Sequence, residues 1–143
     1  MGSLIRNRPL RQRSEKAATF EREINAVRRP VLKRAHHRCE LTGVRDESLH
    51  IHHPFGRHTL GRRWTNDPDC LVVVCRRAHR ALTDAATPAA HALAAQARQD
   101  VVQRLMARYE RLTGDRGAAG VVAGWTTTRA AIWLTEAIEK AEP

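Results

Sequence analysis

The stretch LHIHHPFGRHTLGRRW, residues 49–64, decides the fold because it joins a strand signal to a concentration of histidines. Leu49 and Ile51 alternate with polar residues, and this period of two predicts a short β-strand that ends at a double histidine. Neighbouring residues of a strand face opposite sides, so His52 and His53 are expected to have different surroundings. Imidazole titrates near neutral pH and, when neutral, binds divalent metals. The stretch therefore predicts reactive side chains at a strand end.

Helical patterns lie on both sides of this strand. Ser14 is a predicted N-cap for a helix over residues 15–29, and Pro30 predicts a break or the first turn of a second helix that ends near His37. Residues 54–69 predict a loop. The β-branched segment CLVVVC, residues 70–75, has strand propensity, and RRAHRALTDA after it predicts a helix.

The pattern of residues 88–143 predicts helices and no strand. A long helix is expected from Pro88 to Gly114, then a glycine-rich linker, DRGAAGVVAG, and a last helix with Ile132, Trp133, Ala137 and Ile138 as its apolar stripe. These elements predict an α+β protein. We expect a flexible basic arm at residues 1–13, a domain at 14–87 and a helical extension at 88–143.

The charge is uneven along the chain. The formal net charge is +10; residues 1–83 hold 18 basic and 8 acidic side chains, whereas residues 84–143 hold seven of each. A basic half joined to a neutral half predicts a polyanion-binding surface in the first part, although an arginine-rich surface that serves only solubility fits the same numbers. No apolar run is long enough for a membrane span, and no apolar segment follows the basic N-terminus as in a secretory signal. Three cysteines without a disulfide spacing favour a reducing cytoplasm.

Four segments in order, RCELTG, LHIHHP, NDPDCLVVVC and CRRAHRALT, resemble the HNH endonucleases, the His-Me finger or ββα-metal nucleases. The likeness covers roughly residues 28–83. It implies a small ββα-metal core flanked by helices, in which the segment matching CLVVVC is mostly not a sheet strand. It also implies metal-dependent hydrolysis of DNA phosphodiester bonds, by nicking or double-strand cleavage, in settings such as phage packaging.

The resemblance assigns a role to three histidines. His53 corresponds to the general base, and His52 and His79 to the ligands of one divalent metal ion. Mg²⁺ is the expected ion, with Mn²⁺, Ni²⁺ or Zn²⁺ as alternatives for imidazole ligands. Such chemistry needs an activated water and a cation that offsets charge on the phosphate and the departing oxygen. His50, on the same strand face as His52, is expected to be exposed to solvent instead.

The chain departs from the family pattern at its cysteines. The family often binds a structural zinc through two cysteine pairs, but here Thr42 and Ala78 take the second place in each pair. No structural zinc is expected, and the remnant thiols of Cys39 and Cys75 are predicted to lie together as small buried groups. Cys70 stands where the family has its central Asn, which holds the base-bearing loop by hydrogen bonds, and a thiol is a weaker partner. Asn66, four residues earlier, replaces it only if the loop shifts.

The expected partner is DNA, bound through the arginines around the motif: Arg57, Arg62, Arg63, Arg76, Arg77 and Arg80. Guanidinium groups suit phosphate and position a duplex without reading its sequence. The rival hypothesis is a non-catalytic DNA-binding or assembly protein on a decayed HNH scaffold. The C-terminal helices are a further candidate surface for a protein partner. Trp64 is predicted to pack in the core rather than against a base.

Overall fold

The computed structural model describes residues 14–45, 48–84 and 86–143. The predicted basic arm, residues 1–13, lies outside this part. Helix α1, Glu15–Arg34, is capped by Ser14, whose hydroxyl accepts from the Ala17 amide, as predicted. The predicted break at Pro30 is wrong, because α1 continues through it. A proline inside a helix costs about 3 kcal/mol. Residues on both sides of Pro30, among them Val27 and Val31, pack into one apolar cluster that offsets this cost.

Two strands form an antiparallel sheet, β1 at Leu49–His52 and β2 at Val72–Cys75. The register pairs Leu49 with Cys75 and His52 with Val72. Helix α3, Arg76–Asp84, begins directly after β2 and packs on both strands. The strand SLHIHH and the helix after CLVVVC were both predicted from local sequence.

Strand β2 corrects one expectation. The resemblance implied that this segment lies mostly outside the sheet, whereas β propensity predicted a strand, and the propensity is right. The physical reason is burial on both faces: Val72 and Val74 belong to the main core, and Leu71 and Val73 belong to a second cluster under α1. A strand buried on both faces has an uninterrupted apolar sequence.

The outer edge of β2 is covered by Glu40. The backbone N–H of Glu40 donates to the Val73 carbonyl at 2.9 Å, and its Oε2 accepts from the Val73 amide at 2.7 Å. Arg34 holds the same carboxylate with two hydrogen bonds of 3.0 Å. Glu40 thus satisfies both backbone groups of Val73 that face away from β1.

The long connection between the strands is partly helical, unlike the predicted loop. It contains helix α2, Arg62–Thr65, and a 3₁₀ helix, Pro68–Cys70. Trp64 of α2 is buried, as predicted, and is 1% exposed.

Three helices complete the chain: α4, Pro88–Thr113; α5, Ala118–Val122; and α6, Thr127–Ala141. Helix α4 ends at Gly114 in the left-handed conformation, as predicted. The predicted linker is wrong in part, because α5 lies within it and places Ala118 and Val122 in the main core. Helix α4 packs along α6 and against α3 and β2, so the extension shares its core with the strands.

The described part of the chain is therefore mostly helical with one small antiparallel sheet, an α+β architecture. Within the described ranges, no helix combines the length and apolar composition needed to cross a membrane.

Candidate active site

Three histidines meet where β1 ends beside α3. His50 and His52 lie on one face of β1, and His79 lies on the first turn of α3. The His52 and His79 ring centroids are 6.0 Å apart with nearly perpendicular planes. The two predicted metal ligands are therefore brought together. His50, predicted to be exposed, is exposed, and it also stacks on His79 at 4.9 Å.

Burial and mutual repulsion keep the two candidate ligands neutral. Burial first, and then the neighbouring charges that His79 and His53 would carry, together lower the pKa of His52 to about 4. Burial and His50 lower the pKa of His79. Neutral imidazole is the form that binds a metal. Across the described ranges, no three His, Cys, Asp or Glu side chains are grouped to hold an ion together, so the protein offers the pair His52 and His79 rather than a closed cage.

His53 follows β1 directly and has different surroundings from His52. Its Nε2 lies 3.1 Å from Oδ1 of Asn66, and its ring centroid lies 5.9 Å from that of Phe20 in α1. Burial lowers the pKa of His53, the hydrogen bond to Asn66 raises it, and Arg57 lowers it again. Because the pKa of His53 is lowered overall, its ring is neutral at neutral pH and has one nitrogen free of a proton.

Asn66, rather than Cys70, contacts the candidate base. The loop brings Asn66 onto His53, and its Nδ2 donates to Oε2 of Glu23 in α1 at 2.9 Å. Cys70 is packed in the main core, where burial and then Asp67 and Asp69 raise the pKa of its thiol to about 12. The position matched to the family Asn therefore contributes to packing. Asn66 was identified in the sequence, but its contact with His53 depends on a loop conformation that the sequence pattern does not reveal.

The histidines of the candidate site, His50, His52, His53 and His79, line a cleft of about 460 Å³ between α1 and the sheet. Helix α1 contributes Phe20, Ile24 and Arg28; the opposite wall holds His50, His52, His53, Arg57 and His79. The guanidinium of Arg57 lies 4.1 Å above the centre of the Phe20 ring, a cation–π contact that holds it at the cleft. The cleft thus combines imidazoles with positive charge.

The six arginines predicted to bind DNA have different surroundings. Arg76, Arg77 and Arg80 are exposed on α3, the helix that carries His79. Arg62 and Arg63 line a second cavity, of about 600 Å³, with Glu23 and Asn66 among its other walls. Arg63 pairs with Glu142 and lies 3.9 Å from Glu139, so part of its charge is balanced within the protein.

The remnant thiols lie together in the main core. Burial raises the pKa of Cys39, but hydrogen bonds from the Thr42 side chain and from the backbone of Cys75, Leu41 and Thr42 outweigh it and lower that pKa overall. The Thr42 hydroxyl lies 3.8 Å from the Cys75 sulfur, and Ala78 is 1% exposed. Thr42 and Ala78 thus occupy the space beside two thiols.

A network of arginines, not predicted from the sequence, holds the segment that carries Asn66. Arg104 of α4 donates to the carbonyls of Asp69 and Leu71, at 3.1 and 2.7 Å. Arg108, one turn later, lies 3.0 Å from Asp67 and 2.6 Å from Glu142. In the sequence, only the spacing of Arg104 and Arg108, one turn apart on α4, indicated that both side chains face the same neighbouring segment.

In comparisons with known proteins, no protein-family model, curated protein or solved structure matches this chain.

Proposed function

We propose that the protein is a metal-dependent endonuclease of the HNH type that hydrolyses DNA phosphodiester bonds on a ββα-metal core. The convergence of His52, His53 and His79 in one cleft, with His53 held by Asn66, carries this proposal. Two histidines at the end of β1 and a third on the helix α3 agree with the pattern of that family, although β2 departs from it.

His53 is the proposed general base. Its ring is neutral at neutral pH and lies at the cleft wall, and one nitrogen is occupied by Asn66. The other nitrogen takes a proton from a water molecule as that water attacks phosphorus. A positioned base of this kind contributes about 10²–10⁴-fold to a rate.

His52 and His79 are the proposed metal ligands. Both rings are neutral and adjacent, and a pair of imidazoles leaves the other coordination positions to phosphate and water. The phosphate and water oxygens that would complete the coordination suit Mg²⁺, the proposed ion, whereas the two imidazoles also admit Mn²⁺, Ni²⁺ or Zn²⁺. Such an ion supplies positive charge against the phosphate and the departing oxygen.

Duplex DNA is the proposed substrate because Arg28 and Arg57 line the cleft and the charge excess of the chain lies in residues 1–83. Arg57 lies in the cleft wall, and Arg76, Arg77 and Arg80 extend the basic surface along α3. These groups are proposed to contact phosphates, which would position a duplex without reading its base sequence.

A plasmid nicking assay with Mg²⁺, Mn²⁺ or EDTA tests the proposal. The wild type is expected to convert supercoiled plasmid to the open circle with a divalent ion, and EDTA is expected to stop it. His53→Ala should lose most activity, whereas His91→Ala, at an exposed position on α4, should keep it. A wild type that binds DNA but never nicks it with any of these ions rejects the enzyme and favours the non-catalytic HNH scaffold.

A further inference from the structure

We propose that Glu23, acting through Asn66, holds neutral His53 in the tautomer that carries its proton on Nε2 and leaves Nδ1 to accept one. Glu23 is a positioning residue in this scheme, since it touches Asn66 rather than the reacting atoms. The importance of Nδ1 rests on the proposed function, in which His53 is the base.

The geometry is a relay of two hydrogen bonds across three elements. Nδ2 of Asn66 lies 2.9 Å from Oε2 of Glu23, and Oδ1 of Asn66 lies 3.1 Å from Nε2 of His53. Glu23 comes from α1, Asn66 follows α2, and His53 follows β1. The relay therefore links three segments that are distant in sequence.

The chemistry of the three groups fixes the direction of both bonds. An ionised carboxylate only accepts, so the amide of Asn66 must turn its NH₂ towards Glu23. Its carbonyl oxygen, which also only accepts, then faces His53. In neutral imidazole one nitrogen donates and the other accepts, so Nε2 must carry the proton. Without Glu23 the amide is able to turn over, and either tautomer then satisfies the bond.

Both ends of the relay are held in place. Helix α1 is anchored by Val27 and Val31 in the cluster beneath it, and Phe20, three residues before Glu23, contacts the His53 ring. Asp67, next to Asn66, is bound by Arg108 of α4. The relay thus connects α1 to the segment held by Arg108, and Glu23 sets the direction of its two hydrogen bonds.

The tautomer of His53 is measured by two-bond ¹H–¹⁵N correlation spectra of the imidazole rings in the ¹⁵N-labelled full chain at pH 8, with His53 assigned from its loss in His53→Ala. Glu23→Gln keeps the size of the side chain but adds an N–H donor that pairs equally well with the Asn66 carbonyl. Glu15→Gln, on the first turn of the same helix, is the matched control. Circular dichroism checks that the variants are folded.

Wild type and Glu15→Gln are expected to show the Nε2–H form, and Glu23→Gln a mixture with more Nδ1–H. The same variant should lower kcat for nicking by about 10–100-fold, as other orienting residues do, with KM for plasmid unchanged. An unchanged tautomer in Glu23→Gln, or an Nδ1–H wild type, overturns the role of Glu23 even if the protein nicks DNA. A tautomer shift in a protein that never nicks supports the role of Glu23 and rejects the nuclease instead.

Discussion

Trp64 of α2 donates its indole N–H to Oε1 of Glu139 in α6, with 2.6 Å between the two atoms. The bond ties the last helix to the loop that carries Asn66, two residues after Trp64. Arg108 of α4 makes the same connection from another direction, through Asp67 and Glu142. The C-terminal helices α4 and α6 therefore hold the segment that carries Asn66 in place.

Replacing Arg108 should weaken both the fold and the site. Arg108→Ala leaves the carboxylates of Asp67, Asp69 and Glu142 without a shared partner, and lost hydrogen bonds to charged groups cost about 1.5–3 kcal/mol. Urea unfolding should show a loss of about 2 kcal/mol in the free energy of unfolding. Arg111→Ala, exposed on the same helix, should change it by less than about 0.5 kcal/mol. Equal losses in both variants would show that the network around Arg108 is not specifically stabilising.

Acid should remove part of this stabilisation through Glu142. Hydrogen bonds from Arg108 and Arg63, with their charges, lower the pKa of Glu142 in the folded protein. A carboxyl with a lowered folded pKa stabilises the fold above its unfolded pKa, about 4.3, and this contribution disappears as the pH falls through the folded value. Wild type should therefore exceed Glu142→Gln in stability at pH 7, and the difference should vanish in acid. Thermal unfolding between pH 7 and pH 2.5 measures it; a difference independent of pH would exclude the ion pairs as its source.

Metal affinity should depend on His52 and His79 but not on His53. Losing a ligand should cost at least as much as losing a residue that orients one, so His52→Ala and His79→Ala should weaken Mn²⁺ binding by more than about tenfold. His53→Ala and His91→Ala should bind Mn²⁺ as the wild type does. Mn²⁺ titration followed by electron paramagnetic resonance gives the affinities. Equal affinity in all five proteins would mean that His52 and His79 hold no ion.

DNA affinity should fall steeply with salt. The logarithm of the association constant should fall against the logarithm of salt concentration with a slope of about −0.9 for each phosphate contacted. Removing residues 1–13, which contain four arginines, should flatten the slope. The double variant Arg111→Ala, Arg116→Ala, in the neutral half, should leave it unchanged. Fluorescence anisotropy with a labelled duplex measures the slopes, and an affinity that does not respond to salt contradicts the electrostatic interpretation.

Local signals predicted the elements that depend on neighbours in sequence. The Ser14 cap, the strand before His53, and the stop of α4 at Gly114 each follow from a few adjacent residues. Strand β2 was also visible from propensity, and only the resemblance pointed elsewhere. That His52 and His79 lie close together was predicted by the resemblance to the HNH endonucleases rather than by a local signal.

The sequence did not predict contacts that depend on loop geometry or on small residues. Asn66 reaches His53 across 13 positions and Glu23 across 43, and no local pattern encodes such distances. The apolar stripe predicted for α6 included Ile132, but this side chain is 36% exposed. The buried face of α6 is formed partly by Ala130 and Ala131 instead. Alanine carries a weak hydrophobic signal although it permits close helix packing.

Glu40 also protects the open edge of β2 against pairing with strands of other molecules. A short run of valines with an open backbone edge is a template for adding strands from other molecules. Glu40 blocks that edge with its own N–H and carboxylate, and Arg34 keeps the carboxylate in place. Because Arg34 and Glu40 both belong to this protection, we expect the valine strand to be open to self-association in any partly folded state in which the end of α1 is detached from the sheet.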